Sequence, residues 1–288
     1  MIPEALILTS EIALASYPIL IKSVPTNLWT QIVSRMAVYG GLSFLTLLTD
    51  TKQLQSVDPY GLVGGGLLNL LHIATSYKAF ADLPAGNAMA IFYAFPVWNL
   101  LGAYFLLGET IPLTSIPWVL LALTGMLMVA QPNVGTLLTM EKPFATLCAV
   151  LSGVTESAIY FFFKLMKKES IDGTFKGMFE LYGGSFLLMT PVILLSQLGL
   201  GGLNLPKVDL SWKVWGTMLL FNIFIGFTGY AMRFKSIPMV STLVFSSLNF
   251  VGIVAAYLFG YIFEDEKPSL MAIAGASAII VANIALLS

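Results

Sequence analysis

The sequence predicts an all-α integral membrane protein with ten transmembrane helices arranged as two inverted five-helix repeats. Three observations carry that prediction. The chain lacks the charge that a water-facing surface needs. Its apolar stretches have bilayer-crossing lengths, and short motifs recur in the same order in its two halves.

Of 288 residues, 57% are hydrophobic and 10% charged, where a soluble domain carries about 25% charged residues. Mean hydropathy is +0.87, which fits a lipid bilayer as the main solvent. A net charge of −1 removes nucleic acid as a partner. Cys148 and His72 each stand alone, so neither an intrachain disulfide nor a Cys/His metal cluster can form, and no cofactor is implied. The N-terminus holds Glu4 and Glu11 before the first basic residue, Lys22. That is the wrong charge for a cleavable signal, so residues 3–22 read as the first span.

A helix needs about 20 apolar residues to cross roughly 30 Å of hydrocarbon, and lipid leaves no backbone polar group a partner outside its own helix. The apolar runs are continuous, without the alternation of barrel strands. They predict spans at 3–22, 28–48, 58–80, 84–107, 113–131, 143–166, 174–198, 212–235, 238–262 and 269–287. Turn chemistry separates them: Pro25-Thr26-Asn27, Asp58-Pro59, Pro84, Gly108 to Pro112, Gln131-Pro132-Asn133, Asp172-Gly173, Gly199 to Pro206, Pro238 and Glu264 to Pro268. An even count puts both termini on one side. The basic cluster of Lys164, Lys167 and Lys168 makes that side the cytoplasm.

The internal repeat runs through most of these spans. Tyr39-Gly40-Gly41 in the second returns as Tyr182-Gly183-Gly184 in the seventh. Asn69, Thr75 and Tyr77 in the third return at the same spacing as Asn222, Thr228 and Tyr230 in the eighth. Pro84 and Pro238 open the fourth and ninth, Glu109 and Glu264 follow them, and Ser10-Glu11 aligns with Thr155-Glu156. The halves are residues 1–139 and 140–288. With an odd number of spans each, the second must enter the membrane from the opposite side. Inverted repeats of this kind give two nearly equivalent closures around a site at the midplane.

The stretch Ser76-Tyr77-Lys78-Ala79-Phe80-Ala81-Asp82-Leu83-Pro84-Ala85-Gly86, then Phe95-Pro96, Leu107-Gly108-Glu109 and Gly125, resembles the EamA-type repeat of the drug/metabolite transporter superfamily. The second half departs from the pattern, with Phe250 at the position of Pro96 and Phe263-Glu264-Asp265-Glu266 in place of Leu-Gly-Glu. The resemblance implies a ten-helix fold, cytoplasmic termini and a central cavity for a small solute.

Charges at bilayer depth cost about 2.5–3.5 kcal/mol, so they normally face a cavity or a partner. Glu11 and Glu156 fall at mid-depth in repeat-related spans, and Glu156, Tyr160 and Lys164 share a helix face. Glu156 reads either as a ligand for a cationic group or coupling proton, or as the partner of a basic side chain such as Arg35. Arg35 reads either as a carboxylate or phosphate clamp or as the neutraliser of Glu11. Glu180 stands four residues after Lys176 and reads either as an i, i+4 contact in the wet interface or as a cavity residue. Asn69 and Asn222 read as substrate hydrogen bonders or as glue between helices, and His72 as a proton site or a hydrogen-bonded core residue. Tyr93 and Tyr160 are mid-span aromatics suited to a cationic ligand. Lys78, Lys164 and Arg233 lie near span ends and are expected to snorkel. Pro18, Pro96 and Pro191 are expected hinges, and the glycine pairs expected sites of close helix approach.

The function these features predict is a secondary transporter working by alternating access on a small polar metabolite, cationic or zwitterionic (an amine or amino acid). Its partners are that solute, the lipid bilayer and a candidate coupling proton. A membrane enzyme would need convergent catalytic groups, and none stand out. A non-transporting assembly subunit would have no use for an inverted repeat or mid-depth acids.

Overall fold

The computed structural model describes residues 2–83, 85–131, 142–166, 173–200, 207–263 and 269–287. Pro84, Pro132, Lys167, Lys168, Asp172 and the run from Glu264 to Pro268 lie outside the described residues. Among those described, all regular structure is helical.

Among the described residues, eight helical stretches are long and apolar enough to cross a membrane: Ile2–Ile21, Leu28–Leu48, Leu113–Ala130, Pro143–Leu165, Thr174–Leu198, Trp212–Met239, Thr242–Phe263 and Leu270–Leu287. Two further segments stand where the third and fourth spans were expected. One is the 24-residue helix Pro59–Asp82, diluted by Gly61, Gly64, Gly65 and Gly66. The other is cut into Ala85–Phe92, Phe95–Gly102 and a π-helical turn at Ala103–Leu107.

Local chemistry explains the boundaries. Asn27 caps the helix from Leu28 by accepting from the Thr30 N–H, and Asp58 caps the one from Pro59 through the Tyr60 N–H. Gly108 and Gly199 both end their helices with φ of 66°, a left-handed C-terminal stop that suits glycine. Tyr60 and Trp212, exposed at helix starts, are placed where amphipathic rings meet the headgroups.

The expected hinges behave differently from one another. The first span breaks at Ala15-Ser16 just before Pro18, and the fourth at Tyr93-Ala94 just before Pro96. Pro191 stays inside the continuous helix Gly184–Leu198. The ninth span also breaks, at Phe250 between Thr242–Asn249 and Val251–Phe263. No proline stands at that break.

Neighbours pair across the halves. Ile2–Leu14 packs on Thr228–Ser236, Pro59–Asp82 on Pro143–Met166, Leu28–Leu48 on Phe179–Gly183, Phe95–Gly102 on Thr242–Asn249, and Ile116–Ala130 on Leu270–Leu287. Glycine lets two of these pairs touch backbone to backbone. A Cβ on Gly40 would stand 2.8 Å from the Gly183 Cα, and Cβ atoms on Gly125 and Gly275 would each stand 2.6 Å from the other's carbonyl oxygen. Outward faces carry bare apolar side chains such as Phe105, Leu106, Phe224 and Ile284.

Candidate functional site

The breaks in the first and fourth spans open onto a narrow central cavity, with about 630 Å³ of empty space when its mouth is included. Glu11, Tyr17, Arg35, His72, Tyr93 and Arg233 are among its lining residues. The helix ends at Leu14 and Phe92 bring backbone turns to the cavity wall, which is how buried side chains from separate spans reach one space.

One side of the site is a charge network. The Arg233 Nη2 lies 2.8 Å from Glu156 Oε1, and its Nε lies 3.4 Å from Glu11 Oε1. A single guanidinium thus joins carboxylates from the two halves. Glu156 Oε2 also meets His72 Nε2 at 3.2 Å, while His72 Nδ1 lies 3.2 Å from Thr155 Oγ1. Every member is buried. The contact from Arg233 to Glu11 Oε1 is an ion pair without a well-formed hydrogen bond, so Glu11 is the less satisfied acid. The Arg233 guanidinium also rests 5.2 Å from the Phe95 ring centroid.

The other side is built from tyrosines. The Arg35 guanidinium carbon lies 4.7 Å from the ring centroid of Tyr230, 5.0 Å from Tyr17, 5.6 Å from Tyr39 and 5.7 Å from Tyr182. These distances fall within the cation–π range. The Arg35 Nη2 donates to the Tyr182 hydroxyl at 3.3 Å, and the Tyr17 and Tyr39 hydroxyls are hydrogen-bonded to each other. The Arg35 Nε has no hydrogen-bond partner. Among the described residues no carboxylate forms an ion pair with Arg35.

Two expectations are corrected here. Arg35 neutralises neither Glu11 nor Glu156. Arg233 does not snorkel but is 4% exposed and pairs with both acids. Its place near the end of the helix Thr228–Ser236 suggested a surface residue. The eighth span continues through Ile237–Met239, however, and packs on the first and sixth.

The remaining candidates lie away from the cavity wall. Asn69 Nδ2 donates to Ser185 Oγ at 2.8 Å, and Asn222 Nδ2 to Ser34 Oγ at 3.3 Å, both binding one helix to another. Glu180 lies 3.8 Å from Lys176 Nζ and accepts the Asp58 N–H at 3.0 Å. The i, i+4 contact is the one its spacing predicts, and at 2% exposure Glu180 is buried. Tyr160 shares a hydrogen bond of 2.7 Å with Thr242. One turn on, Lys164 donates to the Val240 carbonyl at 2.6 Å and lies 3.7 Å from Glu109. The face shared by Glu156, Tyr160 and Lys164 therefore runs from the central network to a tie between the halves. Lys78 pairs with Asp82 at 2.8 Å near the surface, as a snorkelling residue should.

Sequence reasoning passed over Tyr17, Tyr39, Tyr77 and Tyr182. The signal was present, since Tyr39 with Tyr182 and Tyr77 with Tyr230 are the tyrosines of the repeated motifs.

Residues 1–131 match the model of the EamA-like transporter family. The pseudopaline exporter CntI of Pseudomonas aeruginosa, in two strains, is 23% identical over 222 residues, which cover 77% of this chain and 72% of the exporter. A solved crystal structure shares the fold with a TM-score of 0.69 at 15% identity, covering 99% of this chain and 98% of its own. Residues 1–131 are thus similar to the EamA-like transporter family, and the chain is a multi-pass integral membrane protein.

Proposed function

We propose that the chain is a secondary transporter that moves a small polar metabolite by alternating access. The proposed architecture is ten spans in two inverted repeats, residues 1–139 and 140–288, with both termini in the cytoplasm and a site between the repeats lined by Glu11, Arg35, His72 and Tyr93, with Glu156 behind it against His72 and Arg233. The observation that carries this reading is the Arg233 bridge, which holds the repeat-related acids Glu11 and Glu156 in one buried network between the halves. The reciprocal contact of Gly125 and Gly275, and the approach of the repeat-matched Gly40 and Gly183, support a two-fold relation. Carriers with such symmetry place substrate at the repeat interface. Asn69, Asn222, Tyr160 and Glu180 serve as ties between helices in this scheme.

Hydrogen-bond arithmetic supports a coupling proton. The Thr155 hydroxyl donates to the Leu151 carbonyl at 2.7 Å, so its oxygen accepts from the His72 Nδ1–H. The His72 Nε2 contact with Glu156 Oε2 then holds one further proton, on the ring or on the carboxyl. The substrate class is cationic or zwitterionic, since two acids meet one guanidinium in the network. The curated relatives are named as exporters, and export is the proposed direction.

Proteoliposome uptake of a mixed polar-metabolite pool tests the reading. Glu156→Gln should lower uptake at least tenfold while the protein stays monodisperse, and an imposed pH gradient should change the wild-type rate. Unchanged uptake in Glu156→Gln would remove this site from the transport path.

A further inference from the structure

We infer that Arg35 is the anchor for a substrate carboxylate, so that the site takes a zwitterion rather than a simple cation. The inference rests on the carrier reading above and decides between the two substrate classes that reading leaves.

The charge map of the cavity is the starting point. Glu11 and Glu156 against Arg233 leave one negative charge on one side once the proton shared by His72 and Glu156 is released. Arg35 places one positive charge on the other, and both Glu11 and Arg35 line the same cavity. The site is therefore dipolar, matching a molecule that carries an ammonium and a carboxylate.

Arg35 itself is built for an incoming anion. It is 3% exposed, it has no ion-pair partner among the described residues, and its Nε makes no hydrogen bond. A buried charge without a partner is costly, and ring faces and phenol hydroxyls compensate it only in part. A planar guanidinium fits a carboxylate through two parallel hydrogen bonds, which an ammonium cannot do. The four rings also change the meaning of the aromatic residues. They suit a cation, but the cation they hold is the protein's own side chain. A substrate amine with no carboxylate would meet Arg35 as a like charge. A carboxylate with no amine would leave Glu11 with only its loose contact to Arg233. In a zwitterion the ammonium faces Glu11 across the cavity from Arg35.

The experiment uses purified full-length protein in proteoliposomes, offered an equimolar mixture of the common amino acids, their decarboxylated amines, their deaminated acids and neutral sugars, with contents read by mass spectrometry. Accumulation of amino acids at least tenfold above the matched amines and acids is expected. In Arg35→Gln that preference should disappear, and Arg35→Lys should restore part of it. Preferential accumulation of amines, deaminated acids or sugars would overturn the inference and leave the carrier reading standing. Accumulation of nothing in any class would overturn both. Should Arg35→Gln not fold, the wild-type preference and the Arg35→Lys variant still decide. An Arg35→Lys protein that keeps the full wild-type preference would show that the planar fork is not the anchor.

Discussion

Two arginines lie buried in this protein under opposite conditions. Arg233 is held by two carboxylates, one from each half, at 3.4 and 2.8 Å. Arg35 is held by four tyrosine rings and no carboxylate among the described residues. A charge that completes an ion network is a structural part, because removing it strands its partners. A charge left without a counter-ion contributes little net stability, so its value must lie in what it meets during function. The comparison separates the residue that completes an ion network from the residue proposed to bind an incoming group.

The sharpest way to break this comparison is to delete each arginine in turn. Arg233→Ala should destabilise the protein by about 3–5 kcal/mol, the usual cost of stranding a buried partner, read as a fall in thermal unfolding temperature in detergent. Adding Glu11→Gln and Glu156→Gln to that variant should recover much of the loss, since the stranded acids are then neutral. An Arg233→Ala protein as stable as wild type would end the structural role. Arg35→Gln should cost no more than about 1–2 kcal/mol, because relief of a buried charge offsets the cation–π attraction and the hydrogen bond to Tyr182 that the variant gives up. A fall as large as that of Arg233→Ala would place both arginines in the same class.

Smaller effects sharpen the boundary of the site. Lys164→Met removes the tie to Glu109 and the Val240 carbonyl. It should change uptake rate more than stability if that tie is made and broken during transport, measured by comparing initial rates with unfolding temperature. Asn222→Ala, which loses one bond to Ser34, should cost about 0.6 kcal/mol, the mean for a hydrogen bond between membrane helices, with uptake retained. A loss of uptake there would move Asn222 into the binding surface.

Much of the architecture was legible in the residue order. Helix boundaries at Asn27, Asp58, Gly108 and Gly199 follow from capping and turn chemistry, which are local. The interruption at Tyr93-Ala94 follows from Pro96, whereas the one at Phe250 has no proline behind it. The interest of Glu11, Arg35, His72 and Glu156 was readable from their depth in apolar spans, because a buried charge needs a reason wherever it lies. The partners were not readable. The sixth span lies between the third and the fourth, so Glu156 meets His72, and the return of the eighth span onto the first brings Arg233 to Glu11.

The sequence by itself determined that the chain lives in a bilayer, where its helices stop, and which ionisable residues are expensive enough to matter. All of these depend on hydrophobicity and neighbours along the chain. Only the tertiary structure decided which charge meets which. Helix rotation and crossing bring together residues more than seventy positions apart, such as Arg233 and Glu156. They also turn Tyr17, Tyr182 and Tyr230 from three other helices toward Arg35, and no spacing along the chain encodes that.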